Sequence, residues 1–154
     1  MPAEPEMVPS RCPRNRPAWR LVPYVAASGK CEVRDYLEQL KANNFKSFAM
    51  FDQALRPRFE MEGPFAVGTP YWEGLGDGLF EISWGRHRIY CSVEDPRRIM
   101  MYVAAYKLWR KFKREHKRLC EQRRAEMLSS AYDEEFRELT LRAYQQRREK
   151  NGHS

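Results

Sequence analysis

The sequence predicts an α+β fold: an antiparallel sheet of about four strands, with an N-terminal helical hairpin before it and two helices after it. Three observations predict it. Apolar residues recur at helical spacing between Cys31 and Phe59, the period drops to two between Leu79 and Tyr106, and it returns to helical spacing in the strongly basic remainder. The chain of 154 residues is about one domain long, and 42% apolar content with 13% aromatics is enough to build a core.

Residues 1–18 are expected to be a disordered, extended arm, because the first 17 hold five prolines and little that could be buried. Order is expected from Trp19. Trp19–Val25 reads as a strand confined by Pro23 to a sheet edge or a strand end. Val33, Tyr36, Leu37 and Leu40 set the stripe of a first helix ending near Ala42. Asn43-Asn44 breaks it and caps a second, with Phe45, Phe48, Ala49, Leu55 and Phe59 on one face and a kink or early end near Arg56, ahead of Pro57. The five glycines and two prolines of Gly63–Gly78 predict an irregular connection.

Leu79–Trp84 and His87–Val93 alternate as hairpin strands about a Gly85-Arg86 turn. Glu94–Arg97 is a second turn, and Arg98–Tyr106 is apolar on both faces and therefore central. The following helix carries Trp109, Phe112, His116, Leu119, Cys120 and Met127 on one face, and a last helix from Ser130 carries Tyr132, Phe136 and Leu139.

Charge is concentrated. Lys107–Arg124 holds nine basic residues and two acidic ones, a difference of seven that equals the formal charge of the whole chain, +7. Such a footprint fits a polyanion partner, and RNA is the expected one; a solvated helix face is the plainer alternative. The four cysteines stand far apart, with no paired ligand spacing for zinc, so no metal site is expected. Reduced cysteines suit a cytoplasmic protein. No apolar run reaches membrane-spanning length, and Pro23 interrupts the one stretch with the outline of a signal peptide.

Alternation places Ile89, Cys91 and Val93 towards the core and Arg88 and Tyr90 on the other face, with Lys107 and Lys111 just beyond the next strand. These residues suit RNA cleavage by attack of a 2′-hydroxyl on the adjacent phosphate. That reaction needs a base, cations for the pentavalent phosphorane, a proton for the leaving 5′-oxygen, and is helped by a ring that stacks a splayed base. It requires the cations to converge over a concave patch, free of any carboxylate. The alternatives are an Arg88–Glu81 pair, a half-buried packing role for Tyr90 and plain solvation of Lys107 and Lys111. His116 reads as a core-edge residue, and His87, beside a turn, is a weak candidate.

The segment GLFEISWGRHRIYCSVEDPRRIMMYVAAYKLWRKFKREHKRLCEQRRAEM resembles the RelE/HigB toxin superfamily, in particular its phage-derived branch. The shared pattern is a GLWELR-type strand, an R-I-Y/F strand, an apolar strand, and an aromatic–Lys–Lys element leading into a basic helix; SGKCEVRDYLEQL is similar to the family's first helix. The resemblance covers about residues 19–128, leaving 129–154 as a C-terminal extension. It implies the toxin of a type II toxin–antitoxin pair, a cytoplasmic mRNA endoribonuclease that acts on the ribosome to arrest growth. It needs no metal or other cofactor, and is held by a cognate antitoxin, expected to be a helix-turn-helix protein.

Carried over by position, Arg88 stabilises the transition-state phosphate, Lys107 helps activate or neutralise it, and Lys111 and Arg110 hold RNA; Tyr90 joins the catalytic set from its strand face, and Arg86, Lys113, Arg114 and Lys117 join the RNA-binding set as neighbouring cations. Two positions depart from the pattern: Ser83 stands at the family's arginine and Leu108 at its second lysine. The departures keep two other readings open. One is a toxin that inhibits a protein target such as gyrase, as the related ParE branch does. The other is a catalytically degenerate module that binds nucleic acid only.

Overall fold

The computed structural model describes residues 18–108 and 112–129. The expected arm and the C-terminal extension, with its last helix, fall outside that range apart from Ala18 and Ser129, as do Trp109, Arg110 and Lys111.

Strand β1 (Arg20–Pro23) leads into α1 (Glu32–Asn43). The single residue Asn44 joins α1 to α2 (Phe45–Ala49), its side-chain oxygen accepting a hydrogen bond from the Ser47 amide in the manner of an N-cap. The helix then widens into a π-helical stretch (Met50–Leu55) before α3 (Arg56–Glu62), so the disturbance expected near Arg56 is a change of helical pitch. Pro57 lacks an amide to donate, and its place in the first turn of α3 is where that loss matters least. The change of pitch also rotates the stripe. Phe48, Leu55 and Phe59 are buried as expected, Phe51 joins them fully buried and stacked on Trp84 at 4.9 Å, and Phe45 is left exposed.

After the short α4 (Pro64–Val67) come β2 (Trp72–Gly76), β3 (Leu79–Trp84), β4 (His87–Glu94), β5 (Arg98–Tyr106) and the basic helix α5 (Arg114–Met127). The sheet has five strands in the order β1-β5-β4-β3-β2. It is not purely antiparallel, since β1 runs parallel to β5 with Leu21 opposite Ile99. It is also one strand larger than expected, because β2 lies inside the glycine-rich segment read as irregular. Trp72 pairs with Ile82 there, and its ring stacks on Phe80 at 4.8 Å.

Both faces of the sheet are covered. Val33, Leu37, Phe51 and Phe59 from α1–α3 pack on Ile82, Ile89, Ile99 and Met101. On the opposite face Cys120 and Met127 of α5 meet Leu79, Tyr90, Met100 and Tyr102. The central position of β5 follows from its apolar residues on both sides.

Gly63 closes α3 at φ 89°, ψ 162°, a conformation that L-residues rarely adopt, and a Cβ there would lie 2.5 Å from Trp19 Nε1. Gly63→Ala is therefore expected to cost about 1–3 kcal/mol from backbone strain, with displacement of Trp19 adding to it. A wild-type urea midpoint for that variant would show that Trp19 does not close over Gly63 in solution.

Candidate functional site

The site lies on the sheet face that α5 covers, at the end where β3 turns into β4 and β5 ends. Glu81 sits directly across from Tyr90, and Arg88 lies opposite Ser83 two pairs nearer the turn, on the same face. Lys107 follows β5, where its amide donates to the Arg86 carbonyl at 2.7 Å, fixing its backbone beside the hairpin turn.

Arg88 and Lys107 converge, and what they converge on is a carboxylate. Arg88 Nε is 3.6 Å from Glu81 Oε2 and Lys107 Nζ is 3.8 Å from Glu81 Oε1. The Glu81 side chain is 5% exposed and each cation 17%, so all three charges are largely withdrawn from water. This corrects the expectation of bare cations over an open patch: the condition set for cleavage from the sequence, cations free of any carboxylate, is not met. The possible Arg88–Glu81 pair is realised, and Lys107 is not simply solvated. The depression that Tyr90, Lys107, Lys113 and His116 line holds only about 10 Å³, room for about one water molecule.

The cluster is incompletely satisfied. Arg88 Nη1 donates to the Gly85 and His87 carbonyls at 2.8 and 2.9 Å, but Arg88 Nε and Glu81 Oε1 are buried with no hydrogen-bond partner, as is Nδ1 of His116 nearby. Buried polar atoms in folded proteins are nearly always paired, so unpaired atoms on a buried charged cluster make it a candidate site. Two cations facing one carboxylate also leave a local excess of one positive charge.

Tyr90 is 2% exposed, with the Phe112 ring 4.6 Å and the His116 ring 5.6 Å away. Burial, reinforced by the Glu81 charge and opposed by Arg88, pushes its phenol up to about 12. Tyr90 therefore stays protonated, and with Phe112 on its ring it is not a free platform for a base. This corrects its expected stacking role, because α5 covers the face that alternation alone would leave open.

Helix α5 starts at Arg114, later than the apolar stripe implied; Lys113 approaches it in extended conformation and Phe112 lies ahead of it, outside the helix. Of the expected RNA-binding residues, Arg86, Lys113 and Arg114 are exposed and have no carboxylate partner among the described residues. Arg86 donates to the Lys107 carbonyl at 3.3 Å, which puts it at the same strand end as the cluster. Lys117 is different: its ammonium pairs with Asp77 at 2.6 Å. Arg123 and Arg124 are likewise taken by Glu32 and Glu94, each at 2.8 Å, and Arg118 is exposed beside Lys113 and Arg114. Part of the basic run thus fastens α5 to the sheet.

Ser83, at the resemblance's missing arginine, donates to the Pro70 carbonyl at 2.7 Å, and Leu108 is 62% exposed. His87 projects to the other face, hydrogen-bonded to the Tyr36 hydroxyl at 2.7 Å; burial first and the Arg88 charge second lower its pKa, so it is held neutral away from the cluster. Glu81 is the residue that sequence reasoning passed over as a site member. The signal was there in its position on the face of Arg88, but pairing between two strands was the only role considered for it.

Among the described residues no helix is long and apolar enough to cross a membrane. No protein-family model matches the chain, and no curated protein matches it either.

Proposed function

We propose that this protein is the toxin of a toxin–antitoxin pair and cleaves mRNA at the Glu81–Arg88–Lys107 cluster. Bare cations over an open patch no longer carry the reading; what supports it instead is a buried carboxylate set between two cations, with Glu81 Oε1 and Arg88 Nε left without a hydrogen-bond partner. Cleavage by a 2′-hydroxyl needs a base, and Glu81 fills that role: it takes the 2′-hydroxyl proton as O2′ bonds to phosphorus. Arg88 and Lys107 offset the charge that builds on the phosphorane, and the P–O5′ bond breaks to give a 2′,3′-cyclic phosphate and a 5′-hydroxyl. Arg86, Lys113, Arg114 and Arg118 supply exposed positive charge for the flanking phosphates, and Arg110 and Lys111 belong to the same basic stretch. The ribosome as the place of cleavage and a helix-turn-helix antitoxin as the partner rest on the sequence resemblance alone. RNA reaches the cluster once Lys107 turns from Glu81 and the gap beside it widens.

The second reading is a non-enzymatic protein of the same shape, either a toxin acting on a protein target such as gyrase or a module that binds nucleic acid only. The closure of the cluster to about 10 Å³ favours it, because a structural ion-pair group needs no entrance. Induction in cells, with 5′ ends of ribosome-associated mRNA mapped, separates the two. Arg88→Ala and Lys107→Ala are each expected to lower cleavage by about 10²–10³-fold and relieve growth arrest while the protein still accumulates. A fully toxic double variant, or arrest with uncut mRNA, would leave the second reading in possession. A small adjacent gene whose co-expression restores growth would support the paired-toxin reading.

A further inference from the structure

An aromatic ledge stands at the β2 edge of the sheet, on the face that α1–α3 cover and so away from the Glu81 cluster. Phe65 of α4 sets its ring edge-on to Trp72 at 6.2 Å and to Phe80 at 6.0 Å, yet is itself 65% exposed. Met61, four positions earlier on α3, is 52% exposed. Single apolar residues on a surface are ordinary. Two within five positions, one of them seated on a pair of stacked rings, make a surface that something can cover.

The path of the chain points to the occupant. Trp19 donates its amide to the Glu60 carbonyl at 2.8 Å, and its indole lies so close over Gly63 that an added Cβ would be 2.5 Å from it. Residues 1–17 therefore leave the described structure at the α3–α4 junction, where Phe65 is only two positions past Gly63. Their chemistry suits the ledge. Residues 9–17, PSRCPRNRP, hold three prolines and three arginines and no acid. Proline rings and guanidinium planes both pack on aromatic faces, and a segment stiffened by proline has less chain entropy to lose on docking. At the polyproline rise nine residues span about 28 Å, ample to cross rings whose centroids lie within 6.2 Å of one another. Two exposed acids offer the arginines counter-charge: Glu73 of β2, and Glu62 at the end of α3, which Arg58 holds only at 3.8 Å.

We infer that residues 9–17 of this chain dock on the Phe65–Trp72–Phe80 ledge, with proline and arginine side chains laid on the rings. The inference is independent of the cleavage reading. Composition predicts disorder for the arm by itself, and a segment of that kind takes up order where a surface receives it.

The test uses the full-length protein and two probes that the arm already carries. One is alkylation of Cys12 by iodoacetamide, the other three thiols being buried. The other is trypsin cleavage after Arg14, read by intact mass. Each rate is compared with that of the same chain in denaturing urea. Wild type is expected to react more slowly folded than in urea. Phe65→Ser, and separately Pro9→Gly with Pro13→Gly in the arm, are each expected to speed both reactions about tenfold, since both follow the undocked population. The combined variant is expected to be no faster than either alone. Should Phe65→Ser fail to fold, the arm variant decides, because its substitutions lie outside the core. A wild-type arm as reactive as in urea, or rates that the arm variant leaves unchanged, overturn the inference. So does a folded Phe65→Ser that keeps the wild-type rates and turns a dimer into a monomer, which would give the ledge to a second copy.

Discussion

Glu81→Ala is expected to destabilise the fold, and a compensated variant is expected to separate that loss from any part the cluster plays in the proposed cleavage. Glu81 is the one carboxylate within 4 Å of both Arg88 and Lys107 among the described residues, and both cations are largely buried. Breaking a buried pair costs about 3–5 kcal/mol, because a charge is left in low dielectric with no counter-charge. The 17% exposure of each cation puts the loss towards the lower end of that range. Glu81→Gln removes the counter-charge but keeps the shape, and should lose less because no cavity opens. Replacing the whole cluster by apolar residues of similar volume (Glu81→Leu, Arg88→Met, Lys107→Met) removes every charge at once and is expected to restore much of the stability. If the cluster is the cleavage centre, that triple variant folds and cuts nothing. Urea denaturation beside an RNA cleavage assay reads both quantities. A stable triple variant that still arrests growth would make the cluster a structural device.

Alkaline unfolding is the second large effect expected. Burial pushes the Cys31 thiol up to about 11, and the Cys120 thiol and Tyr90 phenol up to about 12. Cys91 and Tyr102 are raised as well, again through burial first. All five groups are neutral when protonated, so a raised folded-state pKa means that the unfolded chain gives up its protons first as pH rises. Their contribution is complete below the unfolded values, near 9 for a thiol and 10 for a phenol, and drains away above them. Each pKa unit corresponds to about 1.4 kcal/mol. Two units on a single thiol thus remove about 2.7 kcal/mol, and several such groups together rival the stability of a domain this size. The melting temperature is expected to hold through pH 8 and collapse between about pH 9.5 and 11.5, a window set by the unfolded values and by those near 11 and 12. A melting temperature unchanged to pH 11 would mean that these side chains are hydrated in solution.

What was legible in the sequence was local. Leu79–Trp84, His87–Val93 and Arg98–Tyr106 announce themselves by alternation or by continuous apolar character, and the strands occupy nearly those residues. Helix α1 follows from Val33, Leu37 and Leu40. Strand β2 was hidden, because Trp72-Glu73-Gly74-Leu75-Gly76 has turn composition, and what makes it a strand is Trp72 packing on Phe80 and Phe59 across the sheet edge. The start of α5 was misjudged for a related reason: Phe112 has helical spacing from His116, yet its ring packs on Tyr90 from a residue ahead of the helix.

The sequence by itself determined which residues share a strand face and where the positive charge lies, since a period of two and a tally of charges need no partner. Only the tertiary structure decided what those residues meet. Whether Arg88 and Lys107 are free cations depends on Glu81, 7 and 26 positions away, and whether Tyr90 is open depends on Phe112 and α5 arriving over it. Charge and accessibility are properties of the assembled neighbourhood, and burial changes the worth of each charge by more than its identity does.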